Sequence, residues 1–520
     1  MPTALKELLI VGFLAAIIFR VAKPVAALFI PAEDLARRRN AWFLLTVTGF
    51  LAPNFWIFAL VAVPTMTIAA RKDSNPSALY MMLLQVIPPV SVSVPMIGMT
   101  YLFNINNYLL LSFCVMTPVA LRLFRSERSQ AARLGGLDYC LLAFGLLNSI
   151  LYIHAETPDG GLYPGSLTES LRRGFLFAFG VFVPYYAISR SVRTRKLLLD
   201  TMATYCLNCS VLAVIAVFES TRGWLLFADL GAHWGGDAIP LFQLYVRRGA
   251  SLRAMASTGN SMALGHMLVV AFGFWLYLMS RLGSGRSRIV GLGVIWSGLM
   301  AAYTRGAWIG GVIVYFVYSA LRPQALSKVM KATMVLLIVA VPVWLSPLGD
   351  RITSVLPFFG GKVDIYNVIY RQRLFDRSWQ VIQDSPFLGD QGAMLKMQDL
   401  VQGQGIIDLV NTYMTILLEN GFVGMTLFLG FILVALRKAW SSSRRNMRVD
   451  PDLGLMGASL VSCILTTLVI IENGSFIGVT VALFYTLAAL AVGYSNIDQG
   501  QNQPNSNSRS ARLAPGSKAS

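Results

Sequence analysis

The sequence predicts an all-α fold: a polytopic integral membrane helix bundle of about 12 to 14 transmembrane helices with a large outward-facing loop. Three observations predict it. Of 520 residues, 55% are hydrophobic and only 13% charged, about half the charged share of a soluble domain. Mean hydropathy is +0.61, which means more apolar surface than a soluble chain of this length hides. Basic residues then fall in every second loop, as cytoplasmic loops require.

The elements follow in order. Leu8–Phe19 resembles a signal-peptide core, but the cleavage context is weak, and it reads as a retained helix. Trp42–Ala69 is too long for one simple span and holds Pro53-Asn54 near its centre, so it is two short helices or one kinked helix. Further runs are Leu79–Met99, Tyr108–Leu121, Leu137–Ile153, Gly174–Ile188 and Leu197–Phe218. After a long loop come Met262–Met279, Ile289–Tyr303, Ala307–Leu321 and Met330–Leu345, and then Val410–Leu436, Leu453–Ile471 and Phe476–Val492. Arginines and lysines cluster at Arg125–Arg133, Arg190–Lys196, Arg281–Arg288, Arg322–Lys331 and Arg437–Arg448. These loops are expected inside, with the C-terminus cytoplasmic. The long loops Glu219–Thr258 and Ser346–Asp408 are expected outside. Residues 1–495 form the membrane domain, and the tail 496–520, rich in Asn, Gln, Ser and Pro, is expected to be disordered and cytoplasmic.

Composition excludes several classes. Five cysteines and three histidines give no disulfide framework and little room for a histidine metal cluster. The surplus of 18 positive charges suits anionic lipid, and no nucleic acid is expected. No phosphate-binding Gly-rich loop, Gly-x-Ser-x-Gly elbow or His-Glu-x-x-His is present. Cys206 and Cys209 lie in an apolar run and read as small packed residues. Asp450-Pro451-Asp452 reads as a turn before a helix.

Chemistry concentrates on the outward side. Thr304-Arg305-Gly306-Ala307-Trp308 joins two helices, with 33 residues between Arg288 and Arg322. Two crossings of a ~30 Å core need about 40 residues. The hairpin tip is therefore recessed, and Arg305 is a cation in the membrane in need of an anionic partner such as phosphate. The outer loop adds Arg371, Arg373 and Arg377 beside aromatics and Asp376. Arg253 precedes Ser257, Thr258 and Asn260, which can cap the next helix. Glu419 falls inside an apolar helix on one face with Thr412 and Thr415, after Asn411; it faces a wet cavity or serves as a structural partner for Arg305 or a helix cap. His266 reads as packed, and Arg172 and Arg173 as weaker outward candidates.

In this order the pieces resemble the bacterial O-antigen ligase and O-antigen polymerase superfamily. The resemblance runs over about 253–436. It rests on Arg253–Asn260, the Thr304–Trp308 hairpin, Ser385-Pro386-Phe387-Leu388-Gly389 and Asn411-x9-Gly421-x2-Gly424. It implies a glycosyltransferase of the bacterial inner membrane that needs no metal, nucleotide or other cofactor. Such an enzyme moves glycan from undecaprenyl diphosphate to a glycan or lipid A-core acceptor at the outer face. The implied partners are a chain-length regulator or other polysaccharide-assembly proteins. Arg253, Arg305, Arg371, Arg373, Arg377 and Asn411 would bind diphosphate and glycan. The family's ligases usually have a histidine before the asparagine, and this chain has Val410. Glu419 and Asp408 are the carboxylates left for the base, Glu419 the better placed because it is less solvated. The rival reading is a flippase or transporter of lipid-linked oligosaccharide.

Overall fold

The computed structural model of the chain describes residues 3–86, 88, 90–98, 101–125, 133–154, 167–230, 234, 246–248, 251–344, 365–401, 407, 409–474 and 478–501. The first half contains α1 (Thr3–Ala26), α2 (Ala32–Leu51), α3 (Phe55–Lys72), α4 (Pro76–Leu83), α5 (Asn107–Leu111), α6 (Thr117–Arg125), α7 (Gly136–Leu151), α8 (Leu167–Phe177), α9 (Val183–Ser191) and α10 (Arg195–Arg222). The second half contains α11 (Ser261–Leu278), α12 (Gly285–Ala301), α13 (Arg305–Ala320), α14 (Ala325–Trp344), α15 (Ile365–Asp384), α16 (Thr412–Val449), α17 (Pro451–Ile470) and α18 (Val479–Gln501). Among the described residues the strands are two-residue pairs, Val92–Ser93 with Asn104–Ile105 and Arg247–Arg248 with Ser251–Leu252. The fold is the expected all-α polytopic bundle.

Eight helices among the described residues are long and apolar enough to cross a membrane. Other expected spans fold as shorter helices: α7 has 16 residues, α12 has 17 and α13 has 16. At 1.5 Å per residue α12 and α13 each reach about 25 Å, short of a ~30 Å core, which agrees with a recessed tip at 302–304. α10 and α11 are buried on most sides and sit at the centre, where Tyr205, Cys209, Leu212, Leu264 and Leu268 are packed. α1 instead exposes Leu9, Phe13, Ile17 and Val21, a lipid-facing stripe. The Cys206 and Cys209 thiols donate to the Ala271 and Met267 carbonyls across this core, so both are packed as expected.

Two apolar runs fold differently from a simple span. Trp42–Ala69 divides into α2 and α3, and the Asn54 side chain accepts from Ile57 N–H at 2.9 Å to start the second helix. Leu79–Met99 is helical only to Leu83. Pro88, Pro89 and Pro95 interrupt the run, and proline inside a helix removes a donor and clashes with the preceding turn. Gln85 sits fully buried just after the break, where its carbonyl accepts from the Ser257 hydroxyl. α18 continues to Gln501, past the expected start of the tail; the rest of the tail lies outside the described residues.

Buried charge ties the basic end of the bundle together. Arg38 is 1% exposed and forks to Asp73 at 2.7 Å and Asp200 at 2.6 Å, with Thr204 at 2.8 Å. Asn75 bridges to Asp200 at 2.9 Å. A guanidinium suits this task because its donors match two carboxylates at once. Asp450 caps α17 through Leu453 N–H at 3.1 Å, as a turn before a helix should, while Asp452 pairs with Arg195 and Arg281.

Candidate functional site

The end of the bundle opposite the basic loops carries the candidate site, in two groups. The first surrounds the α12–α13 tip. Tyr303 turns the chain with φ 50°, and Thr304 leads into α13, whose first residue is Arg305. The Trp308 indole donates to Leu299 O at 2.9 Å and pins the hairpin. Arg253, 8% exposed, reaches Thr304 Oγ1 with Nη2 at 3.4 Å. Its own segment is anchored by Ala254 N–H to Ala301 O at 3.1 Å. Arg253 and Arg305 thus flank one threonine. Arg371 on α15 is an electrostatic neighbour of Arg305. Arg305 Nε is buried and has no hydrogen-bond partner among the described residues. A partly buried cation with a like-charged neighbour calls for an anion.

Glu219, at the end of α10, builds the floor of this group. It is fully buried and accepts from Met255 N–H at 3.0 Å, Ala256 N–H at 2.8 Å and Leu226 N–H at 3.0 Å. The left-handed Ala256 (φ 45°) and Gly259 (φ 70°) fold the segment after Arg253. Asn260 caps α11 through Met262 N–H at 2.7 Å. Ser257 and Thr258 donate to the carbonyls of Gln85 and Met255, so they hold the loop and Asn260 does the capping. Reading the sequence missed Glu219. Its signal was a lone carboxylate directly after the apolar run Leu197–Phe218.

The second group surrounds a break in α16. Gly421 takes φ 58° and ψ −163°, a region reserved for glycine. The turn Ser385–Gly389 inserts there. Phe422 N–H and Val423 N–H, freed by the break, donate to Pro386 O at 2.8 Å and Phe387 O at 3.0 Å. Asp390 N–H returns a bond to Leu418 O at 2.7 Å. The sequence elements Ser385–Gly389 and Gly421 are therefore two halves of one joint. A cavity of about 390 Å³ lies along this turn, lined by Leu151, Pro386, Phe387, Leu388 and Gln391 among others.

Glu419 stands just before the break. Its electrostatic partner is Arg173 and not Arg305. Arg173 lies over the Tyr152 ring at 3.6 Å and donates to Gln391 Oε1 at 3.3 Å. Gln391 Nε2 in turn donates to Glu419 O at 2.9 Å and Asn420 Oδ1 at 3.3 Å. Arg173 was a weaker candidate from sequence, and Gln391 and Asn420 were not singled out. Arg172 is structural: it pairs with Glu169 at 2.9 Å, donates to Leu102 O at 2.8 Å and stacks over Tyr101.

The remaining sequence candidates divide. Arg371 and Arg373 are exposed on α15. Arg377 turns to its own loop, toward Gln380 at 3.0 Å and Lys396 O at 3.1 Å. Asn411 caps α16, its Oδ1 accepting from Tyr413 N–H at 2.9 Å and Met414 N–H at 3.2 Å. Thr412 donates to Gly474 O at 3.0 Å. His266 is buried against Thr467 Oγ1 at 3.0 Å, as a packed residue should be. Asp408 lies outside the described residues. Among the described residues no group of three or more His, Cys, Asp or Glu side chains is arranged to hold a metal ion.

Residues 289–429 match the O-antigen ligase family. No curated protein matches the chain. The matched stretch begins in α12 and ends in α16. It contains Arg305, Arg371, the Ser385–Gly389 turn, Glu419 and Gly421, while Arg173, Glu219 and Arg253 precede it.

Proposed function

We propose that this chain, whose residues 289–429 match the O-antigen ligase family, is a membrane glycosyltransferase that moves or polymerises undecaprenyl-diphosphate-linked glycan at the outer face of the bacterial inner membrane. The observation that carries the reading is Arg305. It is a partly buried cation beside a second cation, Arg371, with its Nε unpartnered among the described residues. A diphosphate supplies what such a site lacks.

The chemistry then divides among named residues. Arg305 and Arg371, with Arg253 across Thr304, hold the donor diphosphate. They stabilise charge as the bond from the anomeric carbon to phosphate oxygen breaks. The acceptor hydroxyl oxygen forms the new bond to that carbon, and its proton passes to a carboxylate, Glu419. The electron pair leaves with the lipid diphosphate. Val410 stands where the family's ligases usually have histidine. Arg173 and Gln391 keep Glu419 oriented in this scheme. Arg373 extends the cationic surface of α15 toward the glycan.

Two expected results test the scheme at low cost. Reporter fusions after Gly389 and after Ser443 should report opposite sides of the membrane, the first periplasmic and the second cytoplasmic. Same-side signals would remove the outer site. In purified protein, turnover should rise with pH through the titration of Glu419. Glu419→Gln should lose that acid limb and about 10²-fold or more in rate. A variant with the parental rate and limb takes Glu419 out of the mechanism.

A deletion strain separates the activities. Accumulated single repeats on lipid identify a polymerase. Full-length lipid-linked polymer beside a bare lipid core identifies a ligase. Repeats trapped on the cytoplasmic side would overturn the enzyme reading in favour of a flippase.

A further inference from the structure

The other end of the same helices holds a cationic cavity. Its volume is about 390 Å³, and it lies between the C-terminal end of α13, the last turns of α16 and the middle of α17. Arg322, Arg444 and Arg448 line it together with Trp440, Leu321 and Val461. Arg322 follows the last residue of α13 by two positions, and Arg305 is its first. At 1.5 Å per residue the two arginines are about 25 Å apart along the helix, so this cavity is separate from the candidate glycan site.

Charge at the cavity is unbalanced. No carboxylate lines it. The nearby Asp450 and Asp452 are engaged by Arg195 and Arg281. Among the described residues no ion pair reaches Arg322, Arg444 or Arg448. Instead Arg444 stands over the Trp440 ring at 5.2 Å and Arg322 over the Tyr318 ring at 5.5 Å. Aromatic rings of this kind collect at the level of lipid headgroups. The wall is of mixed character. Three arginines supply its charged part, and Ala320, Leu321 and Val461 an apolar part. A ligand that fits has a phosphate at one end and hydrocarbon at the other. The volume falls in the usual range for small-molecule sites.

We propose that this cavity is a binding site for the phosphate headgroup of an anionic glycerophospholipid. The three guanidiniums take the phosphate, and the first part of an acyl chain follows the apolar wall. Basic pockets between membrane helices bind lipid phosphates by this chemistry. The site lies on the two helices, α13 and α16, that also carry Arg305 and Glu419, so the lipid braces the scaffold of the outer site without entering it.

Native mass spectrometry of the full chain in detergent tests this, with phosphatidylglycerol and phosphatidylcholine as probes. The unaltered protein should retain phosphatidylglycerol under conditions that strip phosphatidylcholine. Combined Arg322→Gln, Arg444→Gln and Arg448→Gln should weaken phosphatidylglycerol binding about a hundredfold, at about a factor of five per charge. The matching triple lysine variant should keep most of the binding and shows that loss in the glutamine variant is not misfolding. Equal retention of both lipids by the unaltered protein overturns the proposal. So does a glutamine variant that binds as the parent does. Full displacement of phosphatidylglycerol by millimolar inorganic phosphate would make this a phosphate-ion site and overturn the lipid assignment.

Discussion

Arg305→Ala is expected to abolish glycan transfer while the protein accumulates at a near-normal level. The side chain starts α13, lies beside Arg371 and flanks Thr304 opposite Arg253. Its removal relieves a repulsion between cations, so stability should hold or rise slightly. Activity should fall about 10²- to 10³-fold, the usual loss when one donor to a developing charge is deleted. Arg305→Lys should recover little of it, because an ammonium supplies charge without the planar fork. Transfer of radiolabelled lipid-linked glycan in membranes, normalised to protein by immunoblot, measures both effects. Full activity in Arg305→Ala would leave the diphosphate clamp without its central residue. Full rescue by lysine would reduce its role to charge alone.

Gly421→Ala is expected to have the opposite profile, with loss of folded protein preceding any loss of chemistry. A Cβ at Gly421 would lie 2.4 Å from Phe387 C and O and 2.6 Å from Gly389 N. These are backbone atoms on a turn that is itself bonded to the broken helix, so they cannot step aside. The φ of 58° with ψ of −163° adds strain for any residue with a side chain, of about 1–3 kcal/mol. Overpacking contributes about 1–3 kcal/mol more. The melting temperature of the detergent-solubilised protein should fall by several degrees, or the variant should fail to accumulate. Gly389→Ala should behave alike, since its Cβ would lie 2.6 Å from Asn420 N, Gly421 N and Leu418 O. Gly430→Ala, at a position with open space around it, is the control and should be neutral. Stability equal to the parent in Gly421→Ala would mean that the turn and helix separate readily, and that Glu419 is not held where the break sets it.

What the sequence determined by itself was whatever depends on a residue's own chemistry and its near neighbours. Apolar runs in a chain with 13% charge have no alternative to a membrane bundle, because hydrocarbon tolerates only internally bonded backbone. The spacing of Arg288 and Arg322 required a short hairpin, and α12 and α13 are short. Asn260 and Asp450 were legible as polar residues at helix starts, where a local bond to the next turn decides the conformation, whereas Asn411, expected to bind glycan, caps α16 instead. Tertiary structure decided the pairings. Glu419 has Arg173 as its electrostatic partner, Gln391 bonds Arg173 and the Glu419 backbone, and these three residues are separated by more than two hundred positions from first to last. Helical periodicity tells which face Glu419 occupies, yet not which helix is packed against that face. The run Leu79–Met99 was apolar enough for a span, but its helix stops at Leu83 ahead of the prolines, and the Gln85 backbone carbonyl is held by the Ser257 hydroxyl. Glycine at 421 permitted a break, while only the docked carbonyls of Pro386 and Phe387 made it affordable. In a membrane, a broken helix persists where another part of the chain supplies the hydrogen bonds that water would have made.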